Sequence, residues 1–125
     1  MLTLIEKPQI IEAAGTKKKI IEEYFGCLGS KTDEVSIARM VSPAGWTEPA
    51  QCPEFDEYTV VLKGILQIKT KLKTIDVAAG QGILIARNEW VQYSTPFEGG
   101  AEYISVCLPA FSPATVHREE CRIKN

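Results

Sequence analysis

Residues 45–64 read GWTEPAQCPEFDEYTVVLKG, and their pattern fixes how the rest of the chain is read. Pro43, Ala44 and Gly45 turn the chain. Pro49 and Pro53 keep the next stretch extended but outside any regular central strand. From Glu57 onward the residues alternate, placing Glu57, Thr59 and Val61 on one face. A carboxylate on a face otherwise shared by Thr and Val is the first candidate functional group.

Working outward, EVSIARMVS before this stretch also alternates, with Val35, Ile37, Arg39 and Val41 opposite Ser36, Ala38 and Met40. After it, TVVLKG and ILQIKT predict two strands meeting at Lys63-Gly64, and LKTIDVAAG predicts a third. GILIA, WVQYSTP and AEYISVCLP follow, divided by Gly80-Gln81-Gly82 and Glu98-Gly99-Gly100. Many short strands with frequent turn signals predict a sandwich or barrel. Leu2 to Ile5 is read as a short strand, and PQIIEAAG as a helical turn or irregular arm. KKKIIEEYFG mixes helical spacing with β-branched and aromatic residues, leaving helix and strand both open. Past Pro109, Ser112-Pro113 predicts a helix start over PATVHREEC, which carries the only histidine, His117.

A chain of 125 residues with 45% hydrophobic and 24% charged residues suits one globular domain. With 14 Lys and Arg against 16 Asp and Glu, the net charge of −2 offers no general basic surface for nucleic acid or anionic membrane. Lys17 to Lys19 read as a solvated face, and Lys69, Lys71 and Lys73 as guards of an exposed strand. No apolar run approaches the ~20 residues of a membrane helix, and the start MLTLIEKPQII lacks the pattern of a secretory leader. Four cysteines without C-x-x-C spacing make a structural zinc site a poor fit and point to reduced thiols in the cytoplasm.

The opening stretch resembles the first signature of the cupins, small jelly-roll barrel proteins: G, five residues, H, one residue, H, three or four residues, E, six residues, G. Gly45, Glu57 and Gly64 occupy their places, while Gln51 and Pro53 stand where the histidines belong. The second signature is G, five residues, P, one residue, G, two residues, H, three residues, N. It keeps only Gly80; Ala86, Asn88, Val91 and Thr95 fill the other places. The resemblance covers about residues 34–110. It implies an all-β cupin double-stranded β-helix with a short C-terminal helix. The expected layout is a single domain 1–125, divided into an arm (1–33), a barrel core (34–110) and a helix with tail (111–125). KKKIIEEYFG then reads as a strand.

The same resemblance places a metal, where there is one, on the two histidines and glutamate of the first signature and the histidine of the second. Here those places hold Gln51, Pro53, Glu57 and Val91. Proline and valine offer no ligand atom and an amide is a poor transition-metal ligand, so no metal and no cofactor are expected. Only His117 joining Gln51, Glu57 and Glu48 would restore a site. Without an ion, Glu57 facing a partly apolar interior is a ligand anchor or general base, or a structural partner of Arg39 or Arg87. The expected ligand-binding set is Trp46, Glu48, Gln51, Glu57, Thr59, Trp90, Tyr93 and Arg39. His117 is read as a helix residue paired with Glu120 or packed on the barrel end, or as a group over the pocket. The leading functions are a metal-independent small-molecule binder, or an isomerase, epimerase, cyclase or lyase with Glu57 as base and His117 as acid. Against a third, a purely structural or protein-interaction domain, stands the placement of Gln51, Glu57 and Trp90 where a ligand site belongs. The expected partners are a small molecule and a second copy of the chain in a homodimer.

Overall fold

Alternation of buried with exposed side chains, such as Glu57, Thr59 and Val61 inward against Tyr58, Val60 and Leu62 outward, builds the strands of this chain. The computed structural model describes residues 1–118. The strands are β1 (Gln9–Ile10), β2 (Ile20–Phe25), β3 (Ser36–Ser42), β4 (Trp46–Thr47) and β5 (Asp56–Thr70). They continue as β6 (Thr74–Ala78), β7 (Gly82–Ile85), β8 (Val91–Thr95) and β9 (Ala101–Leu108), and one turn of helix, α1 (Pro113–Val116), follows. These strands pair antiparallel throughout. They run β1-β2-β3-β9-β5-β8-β4, with β6 and β7 also on β5.

β5 departs from expectation. The two strands expected to meet at Lys63-Gly64 are one strand of 15 residues. Its first half pairs with β7 and β9, and its second half with β6 and β8. The chain bends instead of turning: the β5–β9 register shifts between Val61 and Lys63, and Gly64 sits at φ +74°. A Cβ on Gly64 would lie 2.0 Å from the Gly100 carbonyl oxygen, so this crossing requires glycine.

The N-terminal segment is also more regular than an arm. Residues 2–5 form no strand, the segment PQIIEAAG contributes β1 instead of a helical turn, and β2 pairs along β3. The sheet therefore begins well before residue 34. Ser112 caps α1, accepting a hydrogen bond from the Ala114 amide at 3.1 Å. The helix ends at His117, in the left-handed conformation at φ 50°, so the expected run over PATVHREEC stops after one turn. Glu119, Glu120 and Cys121 of that run lie outside the described residues.

The main core holds Trp46, Val61, Leu66, Ile68, Val77, Val91, Tyr93 and Tyr103. A separate, smaller cluster holds Phe55, Cys107 and Val116, joined by Phe111. Cys27 and Cys107 are free, while Cys52 is disulfide-bonded, which corrects the expectation of reduced thiols throughout. Among the described residues no helix is long and apolar enough to cross a membrane.

Candidate functional site

Between the two core clusters the barrel keeps a cavity of about 70 Å³, several times the roughly 10–15 Å³ that one water needs. Its apolar wall includes Ile11, Ile21, Ala38, Met40, Phe55 and Phe111. Its polar wall includes Lys19, Glu23, Glu48, Gln51, Glu57, Tyr93, Ser105 and Arg118.

Glu57 is 8% exposed, placed inward by the alternation of β5. Tyr93, inward on β8, donates its hydroxyl to Glu57 Oε1 at 3.0 Å. Burial pushes the Glu57 carboxyl above its usual range; the bond from Tyr93, the charge of Lys19 and the Ser105 hydroxyl pull it partly back. Ser105 is itself held by Thr59 across the β5–β9 pair at 3.0 Å. The phenol of Tyr93 is raised well above its ordinary value by burial and then by Glu57, so it remains a donor.

Glu48 follows β4 and is half-buried by accessible surface yet set deep among protein atoms. Burial, opposed by Lys19, then reinforced by the charge of Glu57 and opposed by Arg118, raises its carboxyl to about 7. Such a group exchanges its proton near neutrality.

Lys19 is 8% exposed, although the sequence placed it on a solvated face. Its ammonium donates to the Tyr103 hydroxyl at 2.8 Å and lies 3.9 Å from the centre of the Trp46 ring. The signal was present in the sequence: continuing the strand alternation of β2 backward puts Lys19 on the face of Ile21 and Glu23. Arg118 was also missed, because it follows a helix expected to continue. It pairs by backbone with Gln51, which in turn bridges to Val91.

Of the expected ligand-binding residues, the cavity brings together Glu48, Gln51, Glu57 and Tyr93. Thr59 stands just behind it, supporting Ser105. Trp46 is fully buried in the core, its indole donating to the Ala14 carbonyl at 3.1 Å. Trp90 is half-buried and does not line the cavity. Arg39 lies on the outer face of β3, opposite in alternation to Ala38 and Met40, and pairs with Glu22 at 2.8 Å and Glu102 at 3.0 Å. Arg87 pairs with Asp56 at 3.1 Å, so neither arginine is the partner of Glu57 considered from the sequence. His117 is paired with Glu54 and is not among the lining residues. The donor set does not suit a transition metal: Pro53 and Val91 occupy two of the ligand places, and among the described residues no three His, Cys, Asp or Glu side chains group to hold an ion.

No family model matches the chain. The architecture is nonetheless shared with solved structures. The polyketide cyclase RemF of Streptomyces resistomycificus superposes with a TM-score of 0.72 at 17% identity, covering 94% of this chain and 85% of that one. The EutQ protein of Clostridium difficile gives 0.63 at 22%, covering 74% and 64%. A variant of Bacillus subtilis oxalate decarboxylase gives 0.74 at 13%, covering 91% and 31%.

The chain is a cupin in fold.

In this barrel the glycines and glutamate at the places of the first signature have structural work: Gly45 turns at φ +82°, Gly64 passes Gly100, and Glu57 points inward. In sequence it is 45% identical over 101 residues to a Myxococcus xanthus protein named endoribonuclease YbeY. That match covers 81% of this chain but 34% of the relative, so the chain spans about a third of the curated protein it matches.

Proposed function

We propose that this cupin binds a small molecule without a metal, in the barrel cavity around Glu57. One observation carries the reading: a buried carboxylate, oriented by Tyr93 and Ser105, lines a cavity whose surface is largely apolar. Structural carboxylates at such depth pair with a cation. Here Lys19 acts on Glu57 across the cavity, and no described cation forms an ion pair with it. The test is a thermal-shift screen of small metabolites against the wild type and Glu57→Ala. Hits are expected to lose their shift in the variant, and a hit that survives Glu57→Ala sinks the assigned site.

A second reading makes the same cavity catalytic, in an isomerisation, epimerisation, cyclisation or lyase step with Glu57 as base. The observation favouring it is Glu48, whose carboxyl titrates near neutrality beside Glu57. Glu48 takes the acid role first considered for His117, which the Glu54 pair holds elsewhere. The small cavity and the net charge of −2 do not favour, for this chain, the ribonuclease activity named for the Myxococcus xanthus relative.

The homodimer belongs to the same proposal. The outer faces of β5 and β7 leave Tyr58, Val60, Leu62 and Leu84 exposed, with Val60 at 50% and Leu84 at 53%. Light scattering on Leu84→Lys checks it: a dimer in the wild type and a monomer in the variant are expected, and a monomeric wild type refutes it.

A further inference from the structure

Two cations that line the cavity have hydrogen-bonding capacity left over among the described residues. Arg118 lies against Phe111, its guanidinium carbon 5.8 Å from the ring centre, and its buried Nε has no hydrogen-bond partner among the described residues. A buried guanidinium N–H without an acceptor is costly, and native proteins rarely leave one so. Among the described residues the Lys19 ammonium makes one hydrogen bond, to Tyr103, whereas an ammonium has three donors. No described carboxylate stands within ion-pair distance of either side chain. Both cations nevertheless act on the Glu48 carboxyl, so they surround one region of the cavity.

The acids nearby are already engaged or are close to neutral. Glu23 accepts from the Leu28 and Gly29 amides, both at 2.9 Å. Glu57 accepts from Tyr93. Glu48, on the chain after β4, holds a proton for much of the time near pH 7.

We propose that Lys19 and Arg118 form an anion subsite that takes the carboxylate of a small organic acid, leaving Glu48 and Glu57 to face the remainder of that ligand. This rests on the cavity being the binding site and names the ligand class. A planar carboxylate matches the guanidinium fork and fits the small volume. A dianionic phosphate would face greater repulsion from Glu57 and Glu48, and an amine would have to sit beside two cations.

The experiment titrates the ¹⁵N-labelled protein, in a carboxylate-free buffer, with glycolate, its neutral counterpart glycolamide, and methylammonium. Amide shifts of Tyr93 and Phe111 report the cavity. Glycolate is expected to shift them saturably, at least tenfold more tightly than the other two probes. Arg118→Gln is expected to weaken glycolate tenfold or more without changing glycolamide. Lys19→Gln should act in the same direction, while Arg118→Lys, which keeps the charge, should lose less. If glycolamide or methylammonium binds as well as glycolate, or if folded Arg118→Gln binds glycolate unchanged, the anion subsite is refuted while the binding cavity stands. If no probe reaches the cavity and the metabolite screen also yields no Glu57-dependent hit, both readings fall.

Discussion

Replacing Glu48 by glutamine is expected to stabilise the protein above pH 8 and to change it little at pH 4.5. The folded state raises the Glu48 carboxyl from 4.5 to about 7, mainly by burial. Between those values the folded protein binds more protons than the unfolded chain, so stability is lost as pH climbs through that window. Each pKa unit corresponds to about 1.4 kcal/mol, so the ionised side chain costs about 3 kcal/mol once deprotonation is complete. Its partial exposure trims this to about 2–3 kcal/mol. A glutamine of nearly the same shape carries no charge to desolvate. Set against the roughly 5–15 kcal/mol by which a domain is stable, the difference is readily measured. Urea unfolding of both proteins at half-unit steps from pH 4.5 to 8.5 gives the profile. The gap between variant and wild type should open with a midpoint at about pH 6 and level off above about pH 7. A gap that stays constant, or that widens toward acid, would refute the argument that burial governs this carboxyl.

Tyr93→Phe removes the hydroxyl that orients Glu57 and is expected to cost about 1–3 kcal/mol, read from the shift of the denaturant midpoint. Gly64→Ala places a methyl group 2.0 Å from the Gly100 carbonyl at φ +74° and should cost about 2 kcal/mol or more, seen as a lowered thermal midpoint. His117→Ala breaks a partly exposed pair with Glu54, should alter stability by about 1 kcal/mol or less, and should leave cavity ligands unaffected by thermal shift.

The barrel was legible because its strands alternate and because Gly45, Glu57 and Gly64 keep their spacing. The same spacing put Glu57 inward, and alternation carried Thr59 with it. What sequence alone misread has local causes. Gly64 is a turn residue by type, yet here its missing side chain lets one strand pass another backbone, so a bend looked like a hairpin. Three consecutive lysines look like solvent, and only alternation carried back from β2 turns Lys19 inward and Lys18 outward; Lys17, two residues further from the strand, is exposed with its ammonium on the Ala44 carbonyl. Arg39 has the right chemistry for a ligand but the wrong parity on its strand. Trp46 and Trp90 show that closeness to a signature position does not tell which way a ring points.

The course of β5 through both halves of the barrel bears on motion. Its backbone is shared among β6, β7, β8 and β9, so Glu57 rides on a strand that cannot fray from one side. Amide protons from Glu57 to Val61 should therefore exchange with solvent only when the whole domain opens. The acid is thus anchored to the part of the barrel that opens last.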